Sequence, residues 1–338
     1  MLYSLSILSM LAACGEKEST TDTGQVIEDT SSETVDTGAE DTDSTDTDTE
    51  DTTDTEDTNT TDTEDTEDTN TEDTGSPALD NLDLPGPHTA SSTSESATLS
   101  TCDSPLNYTH VQTSAANAPT VLIAHGFLRS SSNMIDWGGH LGSWGLNALV
   151  VDMCNFADHE QNGLALAELA SNLGIDDPLY MGFSAGGLAS LVAAANSNPL
   201  GVLTLDPVDD MNGTGSTLTG QVNAPLLGLI GEPSDCNSQN NSISLLQGTN
   251  ATHIFRVTDA DHCDFEAPTD DLCENGVLGF GACGNTSASI SDDSIRSTVR
   301  TLGTAGLLWL SGIESEGEEY WTGNVNQSLQ SQGLISAL

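Results

Sequence analysis

Residues 179–190 read LYMGFSAGGLAS. An apolar run of strand length ends at Phe183, a serine follows, and small helix-formers come next. Serine is poor in strands and middling in helices, so propensity does not account for its place. Gly182-Phe183-Ser184-Ala185-Gly186 fits G-x-S-x-G, which between a strand and a helix sets the serine on a sharp turn with its hydroxyl exposed. Small neighbours relieve the clash that such a turn creates with the flanking strand and helix.

The surrounding chain supplies that context. Apolar runs of strand length recur at TVLIA (120–124), NALVVDM (147–153), PLYMGF (178–183), GVLTLD (201–206), APLLGLIG (224–231) and THIFRVTD (252–259). Helical patterns lie between them, through 134–144, 163–173 and 185–196, and DSIRSTVRTLGTAGLLWLSG (293–312) reads as the last helix. Near-continuous apolar strands alternating with helices predict an α/β fold, a mostly parallel central sheet with helices on both faces. In such sheets functional loops gather at the C-terminal ends of the strands.

Reactive residues at those ends make a set with Ser184. IAHGFLRSSS (123–132) follows the first well-defined strand and offers the Phe127 amide as an oxyanion donor, with the Ala185 amide as the second. His125 precedes the turn glycine and reads as structural. Of seven histidines, His262 in TDADHCDFE lies just beyond the last strand and is the candidate base, whereas His253 lies inside that strand and packs. Two strand ends offer an acid to orient the imidazole: Asp206 in LTLDPVDD, which is preferred, and Glu232 or Asp235 in LIGEPSDC. Asp209 and Asp210 are near neighbours of the first. FLRSSSNMIDWGG (127–139) provides either an acyl pocket or, through Met134 and Trp137, part of the core.

HGF, GFSAGG, LDPVDD and DADH together resemble the α/β-hydrolase superfamily, and within it the chlorophyllase, platelet-activating-factor acetylhydrolase and bacterial cutinase-like group. The likeness spans roughly residues 85–338. It implies a serine hydrolase acting on carboxylic esters through Ser184, Asp206 and His262, with no metal or cofactor. LDPVD after the nucleophile helix is similar to chlorophyllase, where the acid follows that strand; the cutinase-like enzymes place it one strand later, at Glu232 here. Phe183 stands where His or Trp is common in the group, and Ala185 where bulkier residues are. A peptidase or amidase using the same triad, and a hydrolase-fold protein that only binds at a surface, are the alternatives.

The N-terminal quarter has another character. MLYSLSILSMLAACG is too short an apolar run to span a bilayer and suits a signal peptide over residues 1–13. Leu11-Ala12-Ala13-Cys14-Gly15 resembles a bacterial lipoprotein box, with Cys14 lipidated after cleavage; no Lys or Arg precedes it. Residues 14–76 follow as an acidic Asp/Thr-rich tether, in which Glu16 to Asp73 hold 24 of the 53 acids and one basic residue, Lys17. Too few apolar groups and too much like charge stand there for folding. Residues 77–338 form the catalytic domain, whose 29 acids face four arginines and no lysine. That surface repels phosphate backbones and excludes nucleic acid as a partner. The expected setting is the cell envelope or its exterior, as a monomer held at the membrane by the N-terminal lipid. Apart from Cys14, six cysteines (Cys102, Cys154, Cys236, Cys263, Cys273 and Cys283) predict three disulfides in an exported domain. Neighbouring strand-end loops favour Cys236 with Cys263.

Overall fold

A computed structural model describes residues 81–218, 220–249, 252–276, 281–284 and 287–338. The leader expected at 1–13, Cys14 and the tether at 14–76 lie outside the described residues. The strands are β1 (Ala90–Ala97), β2 (Leu106–Thr113), β3 (Thr120–Ala124), β4 (Asn147–Val151), β5 (Leu179–Phe183), β6 (Gly201–Leu205), β7 (Leu226–Ile230), β8 (Thr252–Val257) and β9 (Ile335–Ala337). They form a nine-stranded sheet in the order β1-β2-β4-β3-β5-β6-β7-β8-β9. The six strands from β3 to β8 run parallel, while β1, β2 and β9 pair antiparallel at the two margins.

Helices α1 (Ile135–Ser143), α2 (His159–Asn172), α3 (Ala185–Ala195), α4 (Thr214–Leu218), α5 (Ile243–Gln247), α6 (Asp271–Asn275), α7 (Asp292–Ser311) and α8 (Asn324–Ser331), with 3-10 turns at Ser131–Asn133, His262–Phe265 and Ser315–Tyr320, complete the described elements. Alternate strand residues feed opposite faces of the sheet, as the two-residue strand period requires. Val121, Ile123, Met181 and Leu203 join Trp137 and Leu141 of α1 and Val299 and Leu302 of α7 on one face. Leu122, Ala124, Tyr180 and Val202 join Leu166 and Leu169 of α2 and Leu188 and Leu191 of α3 on the other. Each such side chain is worth about 1.5–3 kcal/mol relative to exposure. Two covered faces explain why the central strands are apolar throughout.

β1 and the C-terminal elements depart from the expected pattern, and the place of Met134 and Trp137 decides between the two readings of their segment. β1, ASSTSESA, is exposed along almost its whole length and carries no apolar signal, so only its pairing with β2 makes it a strand. At the far margin, α8 and β9 follow the helix expected to be the last. Met134 and Trp137 are buried in the core, and the Trp137 indole N–H donates to the Phe265 carbonyl at 3.1 Å.

Candidate active site

The turn from β5 to α3 carries Ser184 at φ 55° and ψ −124°, a conformation that costs a non-glycine residue about 1–3 kcal/mol. Backbone hydrogen bonds hold it there. The Ser184 amide donates to Leu205 of β6 at 3.0 Å, and its carbonyl accepts from the amides of Gly187 and Val208 at 2.9 and 3.2 Å. Sterics dictate the flanking glycines. A Cβ on Gly182 would lie 2.1 Å from the Gly186 carbonyl oxygen, and one on Gly186 would lie 2.5 Å from the carbonyl oxygens of both Ala124 and His125. Strand β3, strand β5 and the first turn of α3 meet too closely at this point for any side chain.

His262 opens a short 3-10 turn, His262–Phe265, beyond β8. Its Nε2 lies 3.0 Å from Ser184 Oγ, and its Nδ1 lies 2.6 Å from Asp206 Oδ2. Asp206 follows β6 at φ 39° and is fully buried. A buried carboxylate needs donors, and two are present besides the imidazole. The Gly231 amide donates to Oδ1 at 3.0 Å, and Asn237 Nδ2 donates to Oδ2 at 3.1 Å. Asn237, itself fully buried, also donates to the Glu232 carbonyl and accepts from the amides of Ser234 and Asn240 through Oδ1. With Asp206 accepting from Nδ1–H, the imidazole presents its Nε2 lone pair to the serine hydroxyl. The Phe183 ring packs on the imidazole at 4.6 Å between centroids.

The other acids considered point elsewhere. The Glu232 side chain is 40% exposed and 3.7 Å from Arg256. Asp235 accepts from Gln239, Asp209 from the Gly215 amide, and Asp210 from Thr214. Among the histidines, His125 donates from Nδ1 to the Gly126 carbonyl at 2.7 Å and accepts at Nε2 from the Met153 amide at 3.0 Å. Burial lowers its pKa, which keeps it a neutral structural group. His253 packs on Trp309.

A Cβ at Gly126 would lie 3.1 Å from Ser184 Cβ, so the turn after β3 abuts the serine. The Arg129 amide donates to the Gly126 carbonyl at 3.2 Å, closing that turn with Phe127 and Leu128 at its centre and Leu128 at φ 59°. Ala185 begins α3, where helix geometry leaves the amide without an intrahelical acceptor. The Phe127 ring meets Phe156 at 5.2 Å and His159 at 6.1 Å.

The histidine segment, whose Phe265 is fully buried in the core, also carries polar and covalent anchors. The Asp261 carboxylate caps the turn by accepting from the amides of Cys263 and Asp264 at 2.7 and 3.2 Å. Cys263 pairs with Cys273 of α6, Cys236 with Cys283, and Cys102 with Cys154. Three disulfides are present as expected, but not Cys236 with Cys263. Adjacent loops do not decide which way each Cβ points: Cys263 faces fully inward within the turn and meets α6, leaving half-buried Cys236 to the segment around Cys283. Arg296 Nε donates to Asp264 Oδ1 at 3.0 Å, and its terminal nitrogen donates to Glu274 at 2.5 Å. Arg129 binds Glu266 and Asp270. Burial, followed by the charge of Asp261, pushes the Asp264 carboxyl up to about 7, with Arg296 opposing.

Sequence reasoning missed Asn237, whose loop reads only as turn-forming, and the partners of the arginines. No family model matches the chain, and no curated protein matches it.

Proposed function

We propose that this chain is an exported serine hydrolase of the α/β-hydrolase superfamily that cleaves carboxylic esters. The observation carrying the reading is the hydrogen-bonded series from Ser184 Oγ through His262 to Asp206, set on a strained turn. His262 Nε2 takes the hydroxyl proton as Ser184 Oγ attacks the ester carbonyl, and Asp206 stabilises the resulting imidazolium. The amides of Phe127 and Ala185 hold the oxyanion. The imidazolium then protonates the leaving alcohol. Water, deprotonated by the same nitrogen, releases the acid and restores the serine. Leu128, Phe156 and Met211 are 42%, 64% and 69% exposed on loops following β3, β4 and β6, and favour an ester with an apolar portion.

Export is supported by the three disulfides, which persist in oxidising compartments, together with the Cys14 lipoprotein box. Lipid on Cys14 would hold the domain at the envelope through the acidic tether, and intact-mass measurement of the native protein tests that. Among the described residues no helix is long and apolar enough to cross a membrane. The test of function is hydrolysis of nitrophenyl esters of graded chain length, beside fluorophosphonate labelling, in the native protein and in Ser184→Ala. The native protein should hydrolyse and label, and the variant should do neither while keeping its melting temperature. Turnover by Ser184→Ala above about a tenth of native would remove Ser184 from the mechanism, since loss of a triad member costs several orders of magnitude.

A further inference from the structure

We propose that Arg129 is a positioning residue for this site: by binding Glu266 it locks the turn bearing the Phe127 amide to the segment bearing His262, so that oxyanion donor and base are set as one unit. The inference rests on the triad reading above. Arg129 closes the turn that abuts Ser184, and Glu266 ends the 3-10 turn that begins at His262. The two side chains are 8% and 0% exposed. The guanidinium engages the carboxylate with two nitrogens, Nε to Oε1 at 2.5 Å and a terminal nitrogen to Oε2 at 2.7 Å. That terminal nitrogen also donates to Asp270 Oδ1 at 2.7 Å, whose other oxygen accepts from Asn133 at 3.1 Å.

Two backbone bonds run beside the pair. The Ala267 amide donates to the Asn133 carbonyl, and the Asp136 amide donates to the Ala267 carbonyl, both at 2.9 Å. Among the described residues, the only ion pairs joining these two segments are those of Arg129. A buried ion pair contributes little net stability, because desolvation consumes the Coulombic gain. What a planar two-nitrogen fork does fix is relative orientation, which a lysine ammonium cannot. Four arginines serve the whole catalytic domain, and one of them is buried across the two sides of the serine.

The test is steady-state ester kinetics with melting curves on the full chain for Arg129→Lys, Arg129→Met and the double variant Arg129→Met/Glu266→Gln. The double variant removes both charges, so it avoids the buried, unpaired Glu266 carboxylate that Arg129→Met alone leaves. The melting curves check that each variant is folded, and Arg129→Lys, which keeps the charge, carries the test where the double variant is not. A lost oxyanion donor costs about 10²–10³ in kcat, and a displaced one should cost less. The double variant should therefore fall by about 30-fold in kcat with KM changed by less than about threefold, and Arg129→Lys should lie between it and the native protein. Native kcat in the double variant would overturn the proposal, because Arg129 would then serve only to neutralise Glu266. So would a loss confined to KM. Failure of the triad reading is seen separately, as absence of Ser184-dependent turnover in the unmutated protein.

Discussion

Ser184 and His262 lie 3.0 Å apart, and the chain holds them by different means. The serine turn is fixed by shape: glycines that admit no Cβ, backbone hydrogen bonds to β6, and the packing of α3 on β3. The histidine segment, beyond the burial of Phe265 and its backbone bonds to the Asn133 segment, is fixed by charge and covalency, through the Asp261 cap, the Cys263–Cys273 bridge and ion pairs to Arg129 and Arg296. The first arrangement has nothing to titrate or reduce. The second has several acids and a disulfide within a dozen residues of His262. Conditions that leave Ser184 in place should therefore move His262.

The severest way to break the comparison is at the shape-held side. Gly186→Ala sets a methyl 2.5 Å from two backbone carbonyl oxygens, which have no rotamer to escape into. Folded protein should be lost, or its melting temperature should fall steeply with no measurable turnover; a soluble, active variant would show that the turn can yield.

Next comes the acid. Asp206→Asn keeps the shape but favours the wrong imidazole tautomer, at a cost of up to about four orders of magnitude in turnover. Glu232→Gln alters a side chain that is 40% exposed and directed at Arg256, so its rate should change by less than about tenfold. Melting curves on both variants separate catalysis from support of the fold. A larger loss from Glu232→Gln at unchanged melting temperature would transfer the role to Glu232.

The same contrast explains how much could be read from sequence. The serine turn was legible because its cause is local: a strand, a small-residue motif and a helix in twelve consecutive residues. The site's gross layout was legible too, since apolar parallel strands announce where their ends fall. β1 was not, because a polar edge strand exists only through its partner. Nor were Arg129 with Glu266, 137 residues apart, or the pairing of Cys263 with Cys273. Those depend on the direction of side chains across the fold, which no spacing encodes.

A smaller effect sharpens the covalent part. Closing a 10-residue loop restricts the unfolded chain by about 2.7 kcal/mol, against about 4 kcal/mol for the loops of 47 and 52 residues. Stability and activity should therefore rank the bridges in opposite orders. Cys263→Ser/Cys273→Ser should lower turnover several-fold with the lesser drop in melting temperature, while Cys102→Ser/Cys154→Ser should melt lowest yet retain near-native turnover. Equal activity losses for the two pairs would deny any special role to the bridge beside His262.

The smallest expected effect concerns Asp264, two residues from His262. Its folded pKa of about 7 lies well above the ordinary aspartate value of about 3.9. Between those values the folded protein binds a proton that the unfolded chain does not, so the Asp264 contribution to stability falls as pH rises from about 4 to 7 and is flat above. Buried histidines act oppositely in an overlapping window. His125, His140 and His159 have pKa values lowered by burial, so they lose stability on acidification. A single melting profile mixes the two signs, and a difference profile isolates Asp264. Asp264→Asn cannot ionise and keeps an oxygen that can accept from Arg296 or the Asp261 amide. Its melting temperature relative to the unmutated protein should therefore rise between about pH 4 and pH 7, by about 2–4 °C for each kcal/mol released in a domain of this size. A difference that stays flat across that range would mean that Arg296 holds Asp264 ionised throughout.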